Sequence, residues 1–334
     1  MNTDKSPLKS ALQAIAAQVE QAMQAELQEH LAAADPLLKE VLHYSLFSGG
    51  KRIRPVLCVI SARACGRDDS ALYSLAAALE YLHTATLMHD DVIDHAPLRR
   101  GRETTVERFS LADAILAGDW LHARSLYLVG RLTAAAGLEV FCRATEGLAN
   151  GEFLQKRLAG DPAATEADYF EVIRQKTGNL IASACALGAL YAGARPEQVA
   201  ALRRYGELVG MAFQIVDDLL DYTGKGAETG KELGNDFREG KLTLPLLRAL
   251  AAAGPDERQA MRALIAGDRS QPAAVTQMTV CIAHLGGFRS AAATAREYIA
   301  RAVQELSGLL AAPASAAHAA LLQELAEYIL IREK

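Results

Sequence analysis

Cysteine is scarce in this sequence and shows no pattern. The five present (Cys58, Cys65, Cys142, Cys185 and Cys281) include no C-x-x-C pair and no repeated spacing. That excludes a disulfide framework and fits a reducing cytoplasm, where such residues serve as small core side chains. Proline numbers only 10 in 334 residues, too few for a proline-rich or disordered chain. No long basic run offsets the net charge of -5, so a nucleic-acid partner is not expected. Polyanionic ligands would have to be met by local cation clusters or by bound metal. The first residues lack the basic region and apolar run of a secretory signal. Thr177 to Ala194 runs 18 residues without a charge, nominally transmembrane length. Asn179, Ser183 and three glycines interrupt it, so it reads as a buried core helix. A soluble, cytoplasmic protein is expected. No Ser/Gly-rich linker and no internal repeat divides the chain, so residues 1–334 are expected to form a single domain.

What the sequence has in quantity is apolar residues, 51% of the whole, arranged with helical rather than strand periodicity. Amphipathic segments are read at 8–33, 37–48, 54–65, 70–94, 111–136, 138–159, 165–194, 196–223 and 241–252, with more toward the C-terminus. Breakers fall between them, among them Gly49-Gly50, Gly66, Pro97, Gly101, Gly160 to Pro162, Arg195-Pro196 and the glycines at 224, 226 and 230. An all-α fold follows.

Two segments carry most of the chemistry: His89-Asp90-Asp91-Val92-Ile93-Asp94 and Gln214-Ile215-Val216-Asp217-Asp218-Leu219-Leu220-Asp221. Each has the form D-D-x-x-D, so Asp90 lies over Asp94 and Asp217 over Asp221 on a helix face. Each ends an apolar helix, where carboxylates meet the negative end of the helix dipole and repel one another. Such acids are unfavourable unless cations compensate them. All-oxygen ligands with shared waters suit Mg2+, which takes one or two carboxylates per ion plus substrate phosphates. A single copy could be an ordinary solvated helix end; two copies, each behind an apolar run, argue against that.

Cations stand near both motifs. Gly49-Gly50-Lys51-Arg52-Ile53-Arg54-Pro55 sets glycines and basic residues at a helix start, where free N–H groups favour phosphate. Arg99 and Arg100 follow the first motif, while Lys176, Lys231 and Lys241 are further candidates. Each alone would be a solvated surface charge. His83, about two turns before Asp90, could bond a phosphate or simply pack in the core. His89 beside Asp90 also admits a metal-phosphohydrolase reading, but that leaves the second acid motif and the arginine pair unexplained.

G-G-K-R-I-R-P at 49–55, H-D-D-V-I-D with L-R-R-G at 89–101, K-T-G at 176–178, F-Q-I-V-D-D-L-L-D-Y at 213–222 and G-K-E-L-G-N-D-F-R-E-G-K-L-T-L-P at 230–245 together resemble the trans-prenyltransferase (polyprenyl synthetase) family. The resemblance implies an isoprenoid-synthase-type helical bundle around a deep central cavity, as a homodimer. It implies isopentenyl diphosphate and an allylic diphosphate as substrates and Mg2+ as cofactor, with peripheral membrane contact for product release. Asp90, Asp94 and Asp217 would bind magnesium, and Asp91, Asp218 and Asp221 would complete the clusters. Arg99, Lys176 and Lys231 would contact the allylic diphosphate, with Lys241 as a further substrate-binding cation. Lys51, Arg54, His83 and Arg100 would hold isopentenyl diphosphate. Thr177 and Gln214 would stabilise the developing cation.

In this family the residues beneath the first aspartate motif set product length. Four and five positions before Asp90 stand Thr86 and Ala85, with no aromatic floor; one turn further lie Leu82 and Tyr81. A Tyr81 pointing inward would stop the chain near C20, and one packed outward would let it grow. The segment from Glu146 to Gln155 and the run E-Y-L-H-T-A-T-L-M-H-D-D resemble long-chain, octaprenyl-type synthases, so C30 to C45 is expected. The alternatives are a geranylgeranyl or farnesyl diphosphate synthase and, from a different class, a non-catalytic regulatory subunit. The latter commonly lacks acids that are intact here.

Overall fold

The computed structural model describes residues 7–99, 101–224 and 233–331. The order is α1 (Pro7–His30), α2 (Pro36–Leu46), α3 (Ile53–Ala64), α4 (Ser70–Ile93), β1 (Leu98–Arg99), β2 (Arg102–Glu103), α5 (Thr105–Arg108), α6 (Leu111–Leu158) and α7 (Glu166–Ile173). A π-helical turn, Arg174–Gly178, leads into α8 (Asn179–Tyr191), α9 (Pro196–Thr223), α10 (Asn235–Arg238), α11 (Leu244–Ala252) and α12 (Pro255–Ala266). Then come α13 (Pro272–His284), α14 (Gly287–Glu305), α15 (Ser307–Leu310) and α16 (Ala316–Ile331). The fold is all-α, as expected. Among the described residues strand is confined to the β1–β2 pair, which turns at Gly101 with φ +75°.

Two compact units emerge. One comprises Met1–Cys142, Ser183–Leu202 and Gly308–Leu322; the other comprises Arg143–Ala182, Arg203–Ser307 and Gln323–Lys334. In the first, α1 buries Ile15, Val19, Met23 and Leu27 at four-residue spacing, a stripe that packs on α4 and α3. Each such side chain removed from water contributes about 1.5–3 kcal/mol. α3 is buried from Pro55 to Ala62, which explains why its sequence is apolar without a polar face. Asp35 accepts from the Leu37 amide at 2.8 Å with Pro36 in the first turn of α2, and Asp69 accepts from Leu72 at 3.1 Å to start α4.

In the second unit Tyr222 of α9, Phe237 of α10, Leu246 of α11, Met261 of α12 and Met278 of α13 share one core. A capping box starts α7: Thr165 Oγ1 accepts from the Asp168 amide at 3.2 Å and Asp168 Oδ2 accepts from the Thr165 amide at 2.9 Å. That fixes the orientation of the turn carrying Tyr169.

Two segment readings change, and a third holds. The pair 111–136 and 138–159 is one run, α6, whose break is the single residue Ala134 at φ 54°, ψ -156°. The segment 165–194 divides into α7, the π-helical turn and α8. The uncharged stretch is the 13-residue α8, shorter than the roughly 20 residues a span requires, with 180–189 all buried. By length and composition alone α6 is apolar enough to cross a membrane.

Candidate active site

The first aspartate motif closes α4. Asp94 caps the helix, its amide donating to the Asp90 carbonyl at 2.8 Å. The three acids have different surroundings: Asp90 is half-buried, Asp94 exposed and Asp91 buried. Arg99 donates from Nε (2.8 Å) and Nη2 (2.7 Å) to Asp91 Oδ1. The turn that returns Arg99 to the helix end lies before β1, where His95 takes φ 49° and the Ala96 amide donates to the Asp91 carbonyl at 3.1 Å. Burial raises the Asp91 pKa even though the Arg99 charge pulls it down. Arg100 lies outside the described residues.

The glycine-rich loop before α3 sorts its cations by backbone geometry. Lys51 is exposed and Arg54 half-buried. Between them Arg52 takes a left-handed conformation, φ 50°, and turns inward. Its guanidinium donates to Glu80 Oε1 at 2.5 Å, Glu20 Oε1 at 3.1 Å and the Leu46 carbonyl at 2.6 Å. Arg52 therefore anchors the loop to α1, α2 and α4, and its charge is matched internally. His83 is half-buried on α4.

Of the candidate length-determining residues on α4, Tyr81 is fully buried, and Leu82 and Ala85 are 2% exposed. Thr86 is half-buried, its hydroxyl donating to the His83 carbonyl at 2.8 Å. The Tyr81 hydroxyl reaches α1, donating to Glu26 Oε2 at 2.8 Å, and Glu26 also pairs with Arg124 of α6.

In the second unit, Lys176, Thr177, Gln214, Asp218 and Lys241 line one cavity of about 140 Å³ together with Tyr169 and Asp236. The π-helical turn carries Lys176 and Thr177, and it lies against α9 where Gly178 meets Gly210. A Cβ at Gly210 would stand 2.8 Å from the Gly178 Cα, so only glycine permits the approach. Thr177 Oγ1 bonds Gln214 Oε1 at 2.9 Å, and Gln214 Nε2 donates to Asp218 Oδ1 at 2.8 Å. The buried Tyr169 hydroxyl donates to Asp218 Oδ2 at 2.6 Å. Lys176 pairs with Glu152, and Lys241 with Asp236 (3.3 Å) and Glu239 (2.6 Å).

Asp217 is exposed. Asp221 takes a part that its motif does not announce: its carboxylate accepts from the amides of Asn235 (3.2 Å) and Asp236 (3.1 Å), tying the end of α9 to the start of α10. Gly234 makes that turn at φ +75°. Burial, then the Asp236 charge, push the Asp221 pKa up to about 6. The same two causes raise Asp218 well above the carboxylate range. Asp236 is also raised by burial, despite Lys241. Lys231 lies outside the described residues.

Acids held up in pKa by burial and by one another mark a place short of positive charge. The donors are carboxylate oxygens, which suits Mg2+. Among the described residues no three acidic, histidine or cysteine side chains converge on one point. Mg2+ does not require that, because water and substrate phosphates complete its shell.

Tyr169, Glu152, Asp236 and Glu239 are not among the candidates that the sequence offers. Asp236 had a signal, since it sits inside the G-N-D-F run after the second motif. Tyr169 had only its place seven residues before Lys176.

Comparison with known proteins matches the polyprenyl synthetase family over residues 35–282. The octaprenyl diphosphate synthase of Escherichia coli (strain K12) is 40% identical over 241 residues, covering 72% of this chain and 75% of that one. The nonaprenyl diphosphate synthase of Mycobacterium tuberculosis is 38% identical over 314 residues, 94% of this chain and 92% of that one. Among solved structures, a polyprenyl synthase from Caulobacter crescentus CB15 complexed with calcium and isoprenyl diphosphate superposes with a TM-score of 0.86 at 35% identity, covering all of both chains.

Proposed function

Because the chain belongs to the polyprenyl synthetase family, we propose that it is a trans-prenyl diphosphate synthase condensing isopentenyl diphosphate with an allylic diphosphate into a long-chain product, C30 to C45, for quinone side chains. The observation that carries this reading is the repeated pattern in the two aspartate motifs. In each, the second acid is buried and clamped by protein donors, while the first is the more accessible.

In the proposed reaction Asp90, Asp94 and Asp217 hold magnesium. Asp91, Asp218 and Asp221 complete the clusters, and Asp221 also ties the end of α9 to the start of α10. Bound magnesium supplies the positive charge that neutralises the leaving diphosphate. Arg99, Lys176 and Lys231 contact the allylic diphosphate and favour ionisation of its C–O bond. Lys51, Arg54, His83 and Arg100 hold isopentenyl diphosphate, whose double bond attacks the allylic cation. Thr177 and Gln214 stabilise that cation with oxygen dipoles. Lys241, set between Asp236 and Glu239, holds the cavity rim and meets diphosphate there. The released diphosphate takes the proton that closes the reaction. An apolar cavity bounded by Ala85, Thr86 and Leu82 excludes water and sets the length, with the Tyr81 hydroxyl held by Glu26 of α1.

We take the chain to act as one domain, because the family match draws on residues of both units. We also take it to work in the cytoplasm as a homodimer, touching the membrane peripherally to release product. The test is diphosphate release on mixing the protein with isopentenyl and farnesyl diphosphates. One diphosphate should appear per isopentenyl unit consumed, and chelation of Mg2+ should stop it. A folded protein that releases none would refute the proposal.

A further inference from the structure

The cavity beside Lys176 contains a chain of hydrogen bonds with a fixed direction. Tyr169 is buried, and its hydroxyl occupies Asp218 Oδ2 at 2.6 Å. Asp218 is 4% exposed, and its other oxygen receives the Gln214 amide at 2.8 Å. In its ionised form Asp218 can only accept, so a flipped Gln214 would set carbonyl oxygen against carboxylate, and Asp218 in that form dictates the orientation of the amide. With its N–H toward Asp218, Gln214 must offer its carbonyl oxygen to Thr177, 2.9 Å away. The Thr177 hydroxyl proton is committed to that bond, which leaves the acceptor side of Oγ1 to the cavity that Thr177 lines. Successive bonds in such a chain polarise one another. The cavity thus receives the negative end of a dipole, the polarity that a developing carbocation needs.

We infer that Tyr169 is a positioning residue for prenyl transfer: by holding the Asp218 carboxylate, it sets the direction of the Asp218–Gln214–Thr177 chain that presents an oxygen lone pair to the cation. Tyr169 lines the cavity, but its hydroxyl is committed to Asp218, so its role is exerted through that carboxylate. It acts three hydrogen bonds away from the Thr177 oxygen, and α7 delivers it through the capping box at Thr165 and Asp168. The inference rests on the prenyl-transfer reading given above, which wild-type turnover checks separately.

The experiment is a double-mutant cycle in the full-length protein with Tyr169→Phe and Thr177→Val, each of which removes a hydroxyl and keeps the shape. Turnover is measured with isopentenyl and farnesyl diphosphates at saturating Mg2+, and folding is followed by circular dichroism. Tyr169→Phe should lower kcat about tenfold, leave both KM values within about twofold and retain the helical signal. The double variant should be no slower than Thr177→Val alone, within about twofold, because one broken chain cannot be broken twice. Losses that multiply in the double variant would overturn the inference, as would wild-type kcat in either single variant. An inactive wild type would instead refute the underlying reading of the site.

Discussion

The Tyr81 hydroxyl donates to Glu26 Oε2 across 2.8 Å, and Glu26 in turn pairs with Arg124. A ring tied to α1 in this way is not free to swing, so Tyr81 should not be what ends product growth. Tyr81→Ala is predicted to cost about 3–5 kcal/mol of stability through the cavity it leaves, with little change in product length. Ala85 stands four residues along α4, about 6 Å nearer the aspartates. Ala85→Phe should convert the enzyme to C15–C20 products with the first condensation largely preserved. Chromatography of dephosphorylated products checks both, and an unchanged length in Ala85→Phe would show that the product does not grow along this face.

Within each aspartate motif the structure separates two kinds of acid. Asp90→Ala and Asp217→Ala should abolish turnover while leaving the melting temperature of the metal-free protein unchanged or slightly raised, because clustered like charges are relieved. Asp218→Ala should also destabilise, by about 1–3 kcal/mol for the buried Tyr169 hydroxyl left without an acceptor. Asp91→Ala should destabilise less, because its partner Arg99 is half-exposed and regains water. Thermal melts of the four variants test the split; equal melting temperatures would contradict it.

The basic loop divides similarly. Lys51→Ala or Arg54→Ala should raise the KM for isopentenyl diphosphate more than that for the allylic partner, and Arg99→Ala should show the opposite bias. Arg52→Ala should act on stability instead, costing about 3–5 kcal/mol, because it strands the buried Glu80. Steady-state kinetics with urea titration would distinguish the two classes, and a selective KM effect in a fully stable Arg52→Ala would contradict the assignment.

Much of this was legible in the sequence, and what was not has physical causes. Helix ends at Asp94 and Thr223 follow from the acid motifs and the breakers after them. Thr177 and Gln214 are 37 residues apart across the K-T-G and F-Q-I-V-D-D runs, and only the family resemblance suggests that they meet. Arg52 reads as one more cation at a helix start, because adjacency in sequence cannot reveal a left-handed backbone that turns the side chain inward. Asp221 reads simply as the third acid of its motif, because helical spacing cannot show that the returning chain will also place two amides on it. Tyr169 looks like any core aromatic until its hydroxyl is seen to have a carboxylate partner.

Asp221 gives a pH dependence of definite sign. Its pKa rises from 3.8 to about 6 on folding, so the folded state binds the proton more tightly than the unfolded chain. Between these two values stability must fall as pH rises. The metal-free wild type should therefore lose stability relative to Asp221→Asn as pH is raised from about 4 through 6, with the difference levelling off above that. Paired urea titrations across this range check it, and a difference that grows in favour of the wild type would show the carboxylate to be stabilised when charged.

The account stands most directly on what the protein makes. Incubated with radiolabelled isopentenyl diphosphate, farnesyl diphosphate and Mg2+, it should give dephosphorylated products that migrate between C30 and C45, with no incorporation in the presence of chelator. Products that stop at C20 or below, or a folded protein that incorporates no label with Mg2+ present, would contradict it.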